Sequence, residues 1–222
     1  MGFLIKVATK KIEDIQYVFD TALEHLINGK IIAFPTDSVY GIGGDPTNLK
    51  VIEKIYQLKF RERSKGLLLL TYNLEEAQKV AEFNELAIKL AKHFWPGQLT
   101  LILKKKLPSF LPPELSAFQD TIGIRVPDNE IVKNILLLLK KQNKFGGIIG
   151  TSANYSNEPP AMSGEEIAKK FLTPIDLIID SGKSKSSIPT TIVDCTSYEP
   201  KFLRIGVISE EQIIEVLCER NT

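Results

Sequence analysis

The sequence predicts one α/β domain in which helices flank a twisted mixed sheet, and three observations support this prediction. Short apolar runs of strand length alternate with segments whose apolar residues recur at helical spacing. Hydrophobic residues make up 43% of the 222 residues, which is enough for a sizeable core and excludes a disordered chain. Neither an internal repeat nor a long linker divides the sequence.

The first half of the chain alternates predicted helices and strands. A helix spans 12–27, because its apolar residues share one face, and Gly29 can cap it in a left-handed conformation. A buried strand over 31–34 ends at Pro35, which has no N–H for a ladder. The further predictions are a helix capped by Thr47 or Asn48 and ending near 59, a strand at 66–70, a helix capped by Asn73 and ending near 81, a helix ending near 94, and a strand at 99–103.

The second half continues the same alternation. A strand over 121–126 is closed by Pro127, and Asp128 is predicted to cap the helix that ends near 140. A strand over 146–150 leads into a polar turn, and Ser163 begins a capping box for the next helix. Strands near 177, 192 and 203 and a final helix capped by Ser209 complete the predicted domain.

Composition and charge argue against several classes of protein. The net charge of +1 gives no global argument for a nucleic-acid or membrane surface. Two histidines, both inside predicted helices, argue against a metal cluster or a serine–histidine triad, and the sequence has no P-loop motif. No apolar run approaches the ~20 residues of a membrane-spanning helix, and two cysteines suit reduced thiols. We therefore expect a soluble, cytoplasmic protein without a membrane partner.

The stretch from Ile31 to Gly44 is the first candidate site. Its strand ends in a run of polar side chains that includes Thr36 and Tyr40, and glycines that allow close backbone approach follow at once. An α/β fold places pockets at such strand ends. An ordinary exit from strand to loop is the alternative.

A second candidate is the run of cations Lys59, Arg61, Arg63 and Lys65. In an extended segment alternate side chains share a face, so all four could point at one phosphate or carboxylate. A solvated charge run at a helix C-terminus is the alternative.

Further polar groups follow three other predicted strands. Ser152 and Asn154 supply a hydroxyl and an amide that can hold a phosphate in a turn. Arg125 alternates with apolar residues, so its side chain needs an anionic partner, either a structural carboxylate or a ligand. Thr190 and Arg204 add a hydroxyl and a guanidinium. Together these groups suit binding and electrostatic stabilisation of an anionic, phosphate-bearing ligand, with no covalent nucleophile.

Seven ordered motifs, spread over about residues 10–215, resemble the YrdC-like family of threonylcarbamoyl-AMP synthases. They are Pro35-Thr-Asp-Ser-Val-Tyr-Gly41, Lys59-x-Arg61 with Lys65-Gly-Leu67, Trp95-Pro-Gly97, Thr121-Ile-Gly-Ile-Arg-Val-Pro127, Thr151-Ser-Ala-Asn154, Thr190-Thr-Ile-Val-Asp194 and Arg204-x-Gly206. The resemblance implies one YrdC-like domain, a twisted sheet around a large basic concavity, and no second domain. Some members carry prolines where this chain has Glu62 and Gly66, and the family's Arg-Pro-Gly appears here as Arg204-Ile-Gly206.

The resemblance also implies an activity. L-threonine, bicarbonate and ATP would form threonylcarbamoyl-adenylate and pyrophosphate, and a downstream enzyme complex would use the product to modify tRNA. Mg²⁺ would ride on the triphosphate, with no organic cofactor. A non-catalytic RNA-binding module with weak tRNA binding is the alternative, and carbamoyl adenylation that ignores threonine is a third interpretation.

The resemblance assigns roles residue by residue. The threonine would be held by Thr36, Thr121, Arg125 and Thr190, with Arg125 on its carboxylate. The nucleotide would be surrounded by Lys59, Arg61, Arg63, Ser152, Asn154 and Arg204, and Tyr40 would line the pocket.

Overall fold

Two mixed β-sheets form the framework of the computed structural model, which describes residues 2–8 and 11–218. The strands are β1 (Phe3–Lys6), β2 (Ile32–Phe34), β3 (Gly41–Gly43), β4 (Leu69–Thr71), β5 (Leu99–Lys104), β6 (Thr121–Arg125), β7 (Gly147–Ile149), β8 (Thr151–Ser152), β9 (Leu177–Asp180), β10 (Thr191–Asp194) and β11 (Lys201–Arg204). One sheet has the order β1-β9-β2-β3-β8 and the other β11-β10-β5-β6-β4-β7. The predicted α/β class and mixed strand directions are confirmed. The division into two sheets was not foreseen, because strands of three residues carry too little pattern to assign their partners.

The helices flank these sheets. They are α1 (Gln16–Ile27), α2 (Leu49–Leu58), α3 (Leu74–Ala77), α4 (Glu85–Phe94), α5 (Glu130–Lys141), α6 (Gly164–Lys170) and α7 (Glu210–Cys218), and short 3-10 turns occupy Ile12–Ile15 and Pro113–Ser116. Within the described ranges no helix is long and apolar enough to cross a membrane.

Most predicted helix ends agree with the structure, and two do not. Gly29 adopts φ +66° after α1, and the Asn48 side chain accepts a hydrogen bond from the Lys50 N–H at the start of α2. Asn129, not Asp128, caps α5, because its side chain accepts from two backbone N–H groups of the first turn. The helix from Asn73 ends at Ala77 rather than near 81, because the chain then forms a bridge to the end of β5.

Strand direction brings three of the predicted site residues together at one edge of the six-stranded sheet. β5 is antiparallel to β6 and parallel to β10, and β10 is antiparallel to β11. The ends of β6 and β11 therefore meet the beginnings of β5 and β10. This geometry places Arg125 and Arg204, each the last residue of its strand, beside Thr190, which precedes β10.

Candidate functional site

A cavity of about 400 Å³ opens at this sheet edge. Its polar lining consists of Thr36, Ser38, Arg61, Thr100, Arg125, Thr151, Ser152, Asn154, Asn157, Glu158, Thr190 and Arg204. The lining thus contains three guanidinium groups and one carboxylate, that of Glu158, which already pairs with Lys170 at 2.9 Å. The cavity is therefore suited to an anionic ligand that also accepts hydrogen bonds from hydroxyls.

A wider groove of about 920 Å³ lies elsewhere, against α4 and α7. Glu85 and Glu199 face it together with Lys89 and Lys92, so its charges are mixed. None of the residues assigned from the sequence motifs lines this groove. We therefore place the candidate site in the smaller cavity.

Arg125 forms one wall of the cavity from a nearly buried position, with 5% of its surface exposed. Its Nε donates to the Gly97 carbonyl at 2.8 Å, Nη1 donates to Ser38 Oγ at 2.9 Å, and Nη2 pairs with the Asp37 carboxylate. Burial lowers the pKa of Arg125, and Asp37 opposes that shift. Of the five N–H groups of a guanidinium, two remain without an acceptor among the described residues, which is the number that one carboxylate takes in a bidentate pair.

Arg204 and Thr190 stand beside Arg125. Arg204 Nε donates to the Thr190 carbonyl at 2.9 Å and Nη2 donates to Thr190 Oγ1 at 3.1 Å, while Thr100 Oγ1 lies 3.0 Å from the same hydroxyl. Burial, and then the nearby Arg125, lower the pKa of Arg204. Two cations close enough to affect each other strengthen the preference of this end of the cavity for an anion.

Thr36 closes the turn that follows β2. Its hydroxyl donates to the Val39 carbonyl at 2.7 Å and accepts from the Ser38 N–H at 3.0 Å. The turn thereby presents Ser38 Oγ to Arg125 Nη1 at 2.9 Å, a contact that the sequence did not predict.

Lys59 does not line the cavity, although the resemblance placed it at the nucleotide. It is 1% exposed, and its Nζ donates to the Ser152 carbonyl, to the Asn154 carbonyl at 2.7 Å and to Asn154 Oδ1 at 3.5 Å. Desolvation lowers its pKa to about 7, with smaller contributions from Arg61 and Lys170. In this structure Lys59 supports the turn that carries Ser152 and Asn154 into the cavity.

The four cations of the 59–65 run do not share one face, so that prediction was wrong. Only Arg61 lines the cavity, where its Nε and Nη2 donate to the carbonyls of Lys65 and Gly66 at 2.9 and 2.8 Å. Arg63 is exposed and pairs with Glu53, and Lys65 pairs with Glu62 at 3.1 Å. The segment forms turns rather than an extended strand, so the alternation rule does not apply to it.

Tyr40 and Thr121 also lie away from the cavity. Tyr40 is 1% exposed, and its hydroxyl contacts Asp180 and the Gly182 carbonyl at 3.1 and 2.7 Å. Thr121 begins β6, whereas Arg125 ends it, so at ~3.3 Å per residue the two lie about 13 Å apart along the strand. The sequence pattern gives the strand but not which of its ends meets the ligand.

Sequence reasoning gave no role to several groups at the site, among them Asn157 and Glu158 of the lining and the two that follow. Thr100 lies in β5, where it is a hydroxyl in an otherwise apolar run, and this break in the pattern was the available signal. Gln98 donates from Nε2 to the Asp37 carbonyl at 2.6 Å, and nothing in its sequence context indicates that contact.

The fold and the cavity define an α/β protein with an arginine- and hydroxyl-lined anion site at a sheet edge. The model of the Sua5/YciO/YrdC family, described as telomere recombination, matches residues 24–206. The chain belongs to this family.

Relatives and solved structures agree with that assignment. A putative threonylcarbamoyl-AMP synthase of Methanocaldococcus jannaschii is 35% identical over 210 residues, which cover 95% of this chain and 96% of the relative. The threonylcarbamoyl-AMP synthase of Pyrococcus abyssi is 33% identical over 192 residues, or 86% of this chain and 54% of that protein. The crystal structure of P. abyssi Sua5 with L-threonine matches at a TM-score of 0.85 and 29% identity, covering 99% of this chain and 61% of that one. This chain thus spans about half the length of two curated relatives that it matches.

Proposed function

We propose that this chain is a threonylcarbamoyl-AMP synthase, a nucleotidyltransferase that acts on L-threonine, bicarbonate and ATP. The observation that carries the proposal is the cavity itself, where Arg61, Arg125 and Arg204 meet a set of hydroxyls at one sheet edge. The names of the relatives favour this function over the RNA-binding module.

In the proposed reaction, the amine of L-threonine and bicarbonate form a carbamate with loss of water. A carbamate oxygen then attacks the α-phosphorus of ATP, a P–O bond forms, and pyrophosphate leaves. Positioned cations would stabilise the charge that develops on the phosphate oxygens, and no side chain needs to form a covalent bond.

Different residues of the cavity bind different parts of this substrate set in our proposal, and Arg204 lies between the two groups because it contacts Thr190. Arg125 binds the threonine carboxylate through its two remaining N–H groups, with Thr36 and Thr190 beside it. Arg61 and Arg204 meet the phosphates, and Ser152 and Asn154 hold the nucleotide on the opposite wall. Lys59 contributes indirectly, by fixing that wall.

Mg²⁺ would enter with ATP as part of the substrate. In the part of the chain that the structure describes, no group of three or more histidine, cysteine, aspartate or glutamate side chains could hold a metal ion. The phosphate oxygens and water would therefore provide its ligands. The adenylate product is a reactive mixed anhydride, so we propose that a tRNA-modifying enzyme consumes it in the cytoplasm.

Pyrophosphate release from ATP and bicarbonate by the purified protein, with and without L-threonine, tests the proposal. We expect release that requires L-threonine and fails with D-threonine, because a site that fixes the carboxylate, the reacting amine and the side chain together distinguishes the two isomers. Equal release without any amino acid would indicate carbamoyl adenylation instead. No release, together with salt-sensitive RNA binding, would support the RNA-binding module.

A further inference from the structure

The pairing of Asp37 with Arg125 suggests a role for a residue that does not line the cavity. The Asp37 and Arg125 side chains are 11% and 7% exposed. Asp37 is the carboxylate that pairs with Arg125 among the described residues. A nearly buried guanidinium without such a partner would be strongly disfavoured.

The backbone of Asp37 is held in place through Gln98. Gln98 Nε2 donates to its backbone carbonyl, and the Gln98 carbonyl in turn accepts from the Thr191 N–H at 3.2 Å. The turn that carries Asp37 is therefore fixed to the start of β10. The Asp37 carboxylate contacts Arg125 from this fixed turn.

Only one of the two oxygens of the Asp37 carboxylate accepts a hydrogen bond from the described residues. Oδ1 pairs with Arg125, whereas Oδ2 is buried and has no hydrogen-bond partner among the described residues, and the same holds for the nearby Gln98 Oε1. An unpaired buried acceptor costs stability. Proteins keep unpaired buried acceptors mainly at functional sites. A purely structural role for Asp37, in which it only neutralises Arg125, therefore does not fully account for this arrangement.

Asp37 also limits how the Arg125 guanidinium can turn. Asp37 accepts from Nη2, while the Gly97 carbonyl accepts from Nε at 2.8 Å and Ser38 Oγ accepts from Nη1 at 2.9 Å. These three contacts hold the planar guanidinium together, so the direction of its two remaining N–H groups depends in part on Asp37.

We infer that Asp37 is a positioning residue for the amino-acid substrate, acting through Arg125. It fixes the direction of the Arg125 guanidinium and thereby the site of the substrate carboxylate. This inference rests on the proposed function, because it assumes that Arg125 binds the amino acid.

Two variants of Asp37 test the inference in the steady-state assay. Asp37→Asn keeps the shape of the side chain and removes its charge. Asp37→Glu keeps the charge and moves it by one methylene, which protects the fold if the first variant is unstable. For both we expect the KM for L-threonine to rise roughly tenfold or more, the scale of one charge-assisted hydrogen bond, with the KM for ATP changed by less than about twofold. Asp128→Asn, at an exposed position, is the matched control.

Two outcomes would overturn the inference. One is a wild-type KM for L-threonine in both variants. The other is a fall in kcat that follows the folded fraction while both KM values stay unchanged, as expected of a structural residue only.

A second readout does not depend on the proposed function. This readout is the NMR signal of the Arg125 Nε–H in the ligand-free protein, which is identified by its loss in Arg125→Lys. The signal should shift and broaden in Asp37→Asn and not in Asp128→Asn. An unchanged signal would contradict the positioning role even if the protein makes pyrophosphate. A wild-type protein without threonine-dependent release would instead overturn the proposed function.

Discussion

At the scale of single residues, Lys59 is a buried cation whose Nζ is surrounded by oxygen atoms that carry no formal charge. Its Nζ joins the end of α2 to the turn after β8 through carbonyl acceptors, and desolvation lowers its pKa to about 7. In the unfolded chain the lysine side chain has its ordinary pKa of 10.5. Between these values the unfolded state therefore binds more protons than the folded state, so the free energy of unfolding gains a positive slope with pH.

Lys59→Met should remove this slope. The cost of burying the charge is fully present below pH ~7 and is relieved as the pH rises toward ~10. Urea unfolding of both proteins across that range should show the wild type gaining stability relative to Lys59→Met. A constant difference between them at every pH would contradict the assigned environment of Lys59.

The same scale shows where sequence reasoning reaches its limit. Arg125 and Arg204 could be assigned to the site from the sequence because each lies in a predicted strand and belongs to one of the seven family motifs. Thr121 and Arg63 have suitable chemistry but lie at the far end of a strand and on an exposed turn. Residue type predicts what a side chain can bind, whereas its direction depends on tertiary packing.

At the scale of elements, the cap of α5 gives a direct test of the structure. Asn129 Oδ1 accepts from the N–H groups of Ile131 and Val132 at 3.0 and 3.2 Å, whereas Asp128 is exposed. We expect Asn129→Ala to lower the free energy of unfolding by about 1 kcal/mol, and Asp128→Ala to change it by less than about 0.5 kcal/mol. Equal losses in urea unfolding would mean that Asp128 shares the cap.

Helix boundaries were predictable to within a residue or two where a cap stood alone, as at Ser163. Two adjacent candidates, Asp128 and Asn129, could not be separated, since both side chains accept hydrogen bonds from a helix N-terminus. Backbone direction decides between them. Asn129 has φ −143° and ψ 121°, the extended conformation in which a cap side chain faces the first turn.

At the scale of the whole molecule, the two cysteines report on the packing of the core. Cys195 is 2% exposed after β10, and burial, with a smaller contribution from Asp194, raises the pKa of its thiol to about 12. Cys218 is exposed at the end of α7. In the native protein at pH 8, the exposed Cys218 thiol should react quickly with a disulfide reagent, and the buried Cys195 thiol should react only after denaturation. Two fast thiols would contradict the packing of the β10 end against the core.

The arrangement of two sheets was the part of the fold that the sequence could not provide. Alternating strands and helices predicted the α/β class, but the pairing of β3 with β8 depends on contacts distant in the chain. In the other sheet, the equally distant pairing of β10 with β5 brings together the strand ends at which the cavity lies. The motifs therefore indicated which stretches take part, and the topology decides which side chains meet.

The central claim is that the arginines lining the cavity, Arg61, Arg125 and Arg204, and not the exposed cations Arg63 and Lys65, bind the substrates. Threonine-dependent pyrophosphate release by Arg125→Ala and Arg63→Ala tests it most directly. Both changes remove one guanidinium from an ion pair with a carboxylate, Asp37 or Glu53. We expect Arg125→Ala to lower kcat/KM for L-threonine at least roughly 100-fold, the scale of lost charged hydrogen bonds, and Arg63→Ala to stay within about twofold. Near-normal release by Arg125→Ala, or an equal loss in both variants, would contradict the account.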